Sequence, residues 1–295
     1  MCQFKSAIIL KDRVFIPDYD SHTDMLEELK IEDTVANAER LFIRAELIPY
    51  NNDVFSDIDK WLFVVDQDIT PDWYVENYDK QRMIKAVKEW AKSHIHIGVG
   101  NLRLDSGSEH YIKDCKNVLI CGNATVKYIC GNATVKYIYD NATVNNIYGN
   151  AAVEYICDNA TVNNIYGNAA VEYICGNTTV KYIYDNATVH NICGNATVNN
   201  IYGNAAVHNI CDNATVKYIC GNATVNNICD NATVEKTAGR SVISTSPYHR
   251  FNNLHKVLLL ENSTIKDNYN KVIYQLGDYK LVTVTDGKIT QFTKS

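Results

Sequence analysis

The sequence predicts an α+β domain over residues 1–110, a parallel β-solenoid over 111–237 and a small antiparallel β cap over 238–295. Three observations carry this reading. A nine-residue unit repeats without a gap from Cys121 to Thr237. Its like residues fall into columns eighteen positions apart. The flanks lose the repeat and read as mixed helix and strand on one side, and as short strands on the other.

The unit, C-G-N-A-T-V-K-Y-I, occurs thirteen times. Its third position is Asn from Asn123 to Asn231, and its sixth is Val from Val126 to Val234. The ninth is Ile in all but the last unit, and Ala holds the fourth except at Thr178. Small and β-branched residues at fixed spacing suit strands that stack and bury one face. The Gly-Asn or Asp-Asn pair before each strand supplies the turn, because both residue types tolerate positive φ. Asn side chains stacked at a corner can hydrogen-bond to one another and to turn backbone.

Odd and even units differ, and the difference sets the coil. Position five is Thr in every odd unit, while Ala152, Ala170 and Ala206 all fall in even ones. Position one reads Cys121, Tyr139, Cys157, Cys175, Cys193, Cys211, Cys229 down the odd column. Down the even column it reads Cys130, Tyr148, Tyr166, Tyr184, Tyr202, Cys220. A three-unit coil would mix Tyr with Cys in every such column, so two units make one 18-residue coil. Thirteen units then give about six and a half coils, roughly 30 Å tall at about 4.8 Å per layer.

A solenoid leaves strand edges unpaired at its ends, and the flanks are read as caps. Ser6–Leu10 and Arg13–Pro17 are expected to form a hairpin. A short helix follows, with Asp20 or Ser21 as N-cap and Met25, Leu26 and Leu29 apolar. Leu41–Pro49 and Trp61–Val65 read as strands. Thr70-Pro71 is expected to open a helical region with Pro at its first position, and Met83, Ile84, Val87 and Ala91 share one face of its later part. Glycines 98, 100 and 107 mark residues 97–107 as a linker, and Cys115–Ile120 reads as a degenerate first layer. Lys271–Tyr274, Lys280–Thr285 and Lys288–Phe292 form the expected cap, with a turn at Thr285-Asp286-Gly287.

Composition narrows function. The net charge of −6 argues against a nucleic-acid partner. No run is long enough to span a membrane. Ala7-Ile8-Ile9-Leu10 is too short for a signal peptide, so a cytoplasmic location is expected. Eight of the ten cysteines sit at repeat position one. They read as half-buried packing residues rather than a disulfide framework or a soft-metal ladder. The G-G-x-G-x-D signature of calcium rolls is absent, and Asp at position two alone supplies too few carboxylates for calcium. No cofactor and no metal is expected.

Met1-Cys2-Gln3-Phe4, Ser21-His22, Phe42-Ile43-Arg44-Ala45-Glu46 and Val65-Asp66-Gln67-Asp68 with Pro71-Asp72-Trp73 form a set of motifs. Together they resemble an N-terminal domain of uncharacterised bacteriophage and gut-bacterial proteins, in which it precedes tandem N-A-T-V-type repeats. The resemblance spans nearly the whole chain except the C-terminal cap. It implies architecture and a phage setting, in which a protein that engages a host or defence component is the expected class.

Two function classes follow. In the first, the chain is a non-enzymatic scaffold for a protein partner. Positions seven and eight vary as outward residues do. On the even face they present Lys136, Glu154, Glu172, His190 and His208 beside Tyr137, Tyr155 and Tyr173. Tyr among charges suits an interaction surface, although a Tyr ladder also stabilises neighbouring layers. In the second, removal of Met1 exposes Cys2 as a nucleophile, with His22, Glu46, Asp66 and Asp68 as base and orienters. Glutamine amidotransferases and abasic-site crosslinking proteins use such a cysteine. The latter begin M-C-G-R and place N-A-R-x-E after P-x-W, whereas Asn37-Ala38-Glu39-Arg40 here precedes Pro71-Asp72-Trp73. The structural alternative packs Cys2 under the first strand and lets Asp66 and Asp68 cap a turn. The scaffold is the preferred class, and oligomeric state is left open.

Overall fold

A computed structural model describes residues 4–245, 257–259, 263–267, 272–275, 280–285 and 288–294. The chain divides into two compact units, Met1–His96 and Ile97–Ser295.

The first unit is a four-stranded antiparallel sheet in the order β2-β1-β3-β4. Its strands are β1 (Lys5–Leu10), β2 (Val14–Phe15), β3 (Phe42–Ile48) and β4 (Leu62–Val65). Helices α1 (His22–Glu28), α2 (Val35–Ala38) and α3 (Glu76–His94) complete it. Ser21 caps α1 by accepting from the Asp24 amide, as Ser does well at that position. Ile8 and Phe42 pack against Met25 and Leu26 of α1. Helix α3 buries Met83, Ile84, Val87 and Ala91, the face its apolar spacing predicts, and adds Trp90. It starts later than Thr70-Pro71. Pro71 instead opens a single turn closed by Tyr74 N–H to Pro71 C=O at 2.9 Å. The helix begins where the buried Asp79 carboxylate accepts the Val75 amide at 2.9 Å and pairs with Arg82 at 2.7 Å.

The second unit is a parallel β-solenoid of about nine turns built from roughly 18-residue coils. Val135 pairs with Val153, Ile138 with Ile156 and Asn191 with Asn209, each across one coil. The two-unit coil is therefore correct, since three units would have set Asn191 on Asn164. Val, Ile and the position-four Ala form one continuous core, nearly all of it inaccessible to solvent. The exception at position four, Thr178, is buried with its hydroxyl donating to Cys175 C=O at 2.6 Å. Position two takes left-handed φ whether it is Gly131 at 65° or Asp140 at 57°. This is why Gly and Asp alternate there.

The parallel ladder outruns the repeat at both ends. Residues 97–107 are not a linker: Gly98 N–H donates to Lys113 C=O at 3.0 Å, and Arg103–Leu104 pairs with Leu119 and Ile120. Leu104, Ile112, Val118 and Ile120 keep the core filled without the nonapeptide signature. Beyond Thr237 the ladder continues through Val242–Ser244 to Thr264–Asp267 on one face and through Val257–Leu259 on the other. Antiparallel strands Val272–Gln275, Lys280–Thr285 and Lys288–Lys294 then end the two faces, as the expected cap requires. The turn at Asp286-Gly287 lies outside the described residues.

Candidate functional site

In the first unit, β1 and β3 place Ser6 opposite Glu46, and α1 enters with His22 at its first residue. Strand β4 ends at Val65, opposite Ala45, so Asp66 follows directly beside β3, its amide donating to Arg44 C=O at 2.8 Å. The three side chains converge. The His22, Glu46 and Asp66 ligand atoms lie within 4.8 Å of one another. His22 Nδ1 is 3.4 Å from Asp66 Oδ2, and its Nε2 is 3.2 Å from Ala45 C=O. His22 and Glu46 are buried and Asp66 is exposed. A His bracketed by a carboxylate and a carbonyl has its ring orientation set, which suits proton transfer or ligation.

Asp68 is not part of this group. It lines a cleft of about 310 Å³ with Asp33, Val35, Arg44 and Ile69, where Arg44 pairs with Asp33. Between the two aspartates, Gln67 accepts the Arg44 amide at 2.8 Å and donates to Phe42 C=O at 3.2 Å and Ile69 C=O at 2.7 Å. Gln67 stands in the Val65–Asp68 motif but not among the candidate site residues. Its position between Asp66 and Asp68, just past a strand, was the available signal, because an amide can continue a ladder that the backbone leaves. Cys2 lies outside the described residues.

On the solenoid's even face, Tyr137, Tyr155 and Tyr173 form a stacked ladder, with ring centroids 5.0 Å apart and planes within 11°. Partial burial between its neighbours, and then the charge their phenols could carry, push the Tyr155 phenol up. Tyr137 and Tyr173 are about two-fifths exposed. Above them the ladder becomes amides: Asn209 donates to Asn191 at 2.9 Å and Asn227 to Asn209 at 3.2 Å. Alongside runs the charged column. His190 Nδ1 lies 3.5 Å from Glu172 Oε2 as an ion pair without a hydrogen bond, and His190 meets His208 edge-on at 4.6 Å. Glu154 and Glu172 are exposed. A groove of about 440 Å³ borders this ladder between Tyr137 and the corner residues Tyr139, Cys157 and Asp158.

A second ladder, Tyr148, Tyr166, Tyr184 and Tyr202, occupies the even corner with centroid spacings of 4.9 to 5.2 Å. Burial raises all four phenols. The odd corner holds the thiols. Burial pushes Cys157 up to about 11, and Cys193 and Cys229 up to about 12. Such thiols are poor nucleophiles at neutral pH.

The fold is thus that of a repeat scaffold whose irregular features gather in the first unit and along the solenoid's columns. No family model, curated protein or solved structure matches the chain. Among the described residues, no helix is long and apolar enough to cross a membrane.

Proposed function

We propose that the chain is a non-enzymatic scaffold whose even face binds a protein partner, with Tyr137, Tyr155 and Tyr173 as anchors. One observation carries the reading: an in-register Tyr ladder, partly exposed and bordered by the Glu154, Glu172, His190 and His208 column. Stacked rings are ordered before binding, so docking on them loses little side-chain entropy, and truncating a Tyr anchor often costs about 2 kcal/mol or more. In the phage setting that the sequence resemblance implies, the partner is a host or defence component. Crosslinking in that host, with mass-spectrometric identification of the partner, gives the binding assay. Tyr155→Ser with Tyr173→Ser is expected to weaken that complex at least tenfold while the far-UV spectrum is kept. Unchanged affinity in the double variant rejects the face.

The second reading is favoured by the convergence of His22, Glu46 and Asp66. Here these residues serve a Cys2 nucleophile, as base and orienter, on a carbonyl or aldehyde substrate. Retention of Met1 in the purified chain, read by intact mass, would remove the free Cys2 amine that this chemistry needs.

A further inference from the structure

The odd corner carries Cys at position one in five successive coils, Cys157, Cys175, Cys193, Cys211 and Cys229. By sequence this column reads as packing. The structure adds two facts about its upper end. The sulfurs of Cys193 and Cys211 and a carboxylate oxygen of Asp212 all lie within 4.8 Å of one another, and Cys211, Cys229 and Asp230 repeat the arrangement one coil on. The carboxylates are also held in place by backbone. Asp212 Oδ2 accepts the Gly194 amide at 2.9 Å, and Asp230 Oδ2 accepts the Asp212 amide at 3.3 Å. Each aspartate therefore reaches one coil back, beside the gap between two thiols.

Lower gaps lack this third group. Gly176 and Gly194 follow Cys175 and Cys193, so no carboxylate reaches back from those layers. Asp158 does reach back, to the Asp140 amide at 3.4 Å, but the position-one residue in that lower layer is Tyr139.

The separation decides what the gap can hold. A disulfide needs its sulfurs about 2.05 Å apart, and adjacent layers of a parallel sheet sit about 4.8 Å apart. An ion with metal–sulfur bonds of about 2.3 Å, midway between two thiolates, spans about 4.6 Å. That is a two-coordinate arrangement with a carboxylate at its side, short of the four ligands of a structural zinc site. Thiolates of this kind favour Cu(I)-class ions.

We propose that Cys193, Cys211 and Cys229, with Asp212 and Asp230, bind two soft monovalent cations of the Cu(I)/Ag(I) class, one per gap, sharing the Cys211 thiolate. Three thiols release three protons as the two ions enter, and no electron is transferred. The net negative charge of three thiolates and two carboxylates around two cations favours their retention.

The test uses the full, reduced chain under anaerobic conditions, with Ag(I) as probe and excess monothiol as competitor, so that isolated cysteines lose their ions. Native mass spectrometry is expected to show two retained Ag(I) ions in the parent and in Cys220→Ser, whose thiol has no cysteine in the adjacent coils. Cys211→Ser should lose both, while Cys193→Ser should lose one. Asp212→Asn with Asp230→Asn should weaken retention about tenfold. Thermal melts without metal check that the variants fold, and added Ag(I) should raise the melting temperature of the parent but not of Cys211→Ser. Two ions retained by Cys211→Ser, none or more than two retained by the parent, or preferential uptake of Zn(II) over Ag(I), would overturn the site.

Discussion

The two units of this chain treat buried polar groups in opposite ways. The first draws Lys5, His22, Glu46 and Asp79 into its interior. Lys5 pairs with Asp20 at 3.0 Å and also lies over the Trp90 ring, and Asp79 pairs with Arg82 at 2.7 Å. In the repeat array, among the described residues from 121 to 237, Thr178 and Thr237 are the buried polar side chains. Its polar ladders lie outside the core, as Asn stacks at the corners. An irregular core is specified by individual contacts, each made once. A repeated core is specified by one shape made many times, and its outer positions are left able to vary. This contrast explains why chemistry-bearing groups cluster in the first unit, whereas the solenoid offers extended columns.

The sharpest way to break this comparison is to bury a charge in the array. Val180 is fully buried between Val162 and Val198. Val180→Asp is expected to cost several kcal/mol and unfold the coils around it. Urea denaturation followed by circular dichroism checks this, and an unchanged midpoint would contradict the inward placement of the position-six Val column. A somewhat smaller effect is expected in the first unit. Asp79→Ala removes the carboxylate from Arg82, which keeps only its bond to Leu10 C=O, and takes the acceptor from the Val75 amide, a loss of about 3 kcal/mol. Hydrogen exchange should accelerate in Glu76–His94, and an unaltered rate there would show that the pair is dispensable.

The same contrast explains what could be read from the sequence. Position six, position nine and the odd–even columns made the coil legible, because every layer repeats the same test of which residues face inward. Leu104, Val118 and Ile243 satisfy that core without the repeat signature, so the turns they build were not visible as repeats. In the first unit, residue type alone marks His22, Glu46, Asp66 and Asp68 beside Cys2, and the side chains of His22, Glu46 and Asp66 lie together. Asp68 was named with them and faces another cleft, because a one-residue spacer on an irregular segment does not set direction. Gln67 was missed for the same reason. Helix α3 starts later than Thr70-Pro71 because Pro at a first helical position is a local preference, whereas the Asp79–Val75 contact is made by a buried side chain that no spacing rule marks.

Alkaline pH probes the thiol column with a smaller, graded effect. Burial raises Cys157 to about 11 and Cys193 and Cys229 to about 12, from 9.0. The unfolded chain therefore loses these protons first as pH rises, and binds fewer than the folded chain. The contribution of these thiols to stability is fully present below pH 9, declines above it and is lost towards pH 12. Melting temperature against pH should fall over that window, and Cys193→Ala with Cys229→Ala should flatten the slope. The tyrosine corner contributes in the same direction through its own raised phenols, so the slope flattens without vanishing. An identical slope in the double variant would remove the thiols from the account.

The smallest effect is expected at the corner amides. Asn195 donates to Asn177 at 3.2 Å and accepts from Asn213 at 3.3 Å, in an exposed ladder. Removing it with Asn195→Ala deletes two hydrogen bonds, yet water can reach both orphaned partners. A net hydrogen bond contributes about 1 kcal/mol when no buried group is stranded, so the loss should stay near or below about 1 kcal/mol. The backbone bond from Asn195 N–H to Gly176 C=O at 2.8 Å is untouched, which keeps the turn in place. If the ladder acts as a connected chain, Asn213→Ala should cost less in the Asn195→Ala background than alone, by a few tenths of a kcal/mol, because its partner is already gone. A double-mutant cycle from urea midpoints measures that coupling. Strict additivity would mean each amide serves only its own turn, and the Asn column would then owe its constancy to backbone geometry rather than to stacking.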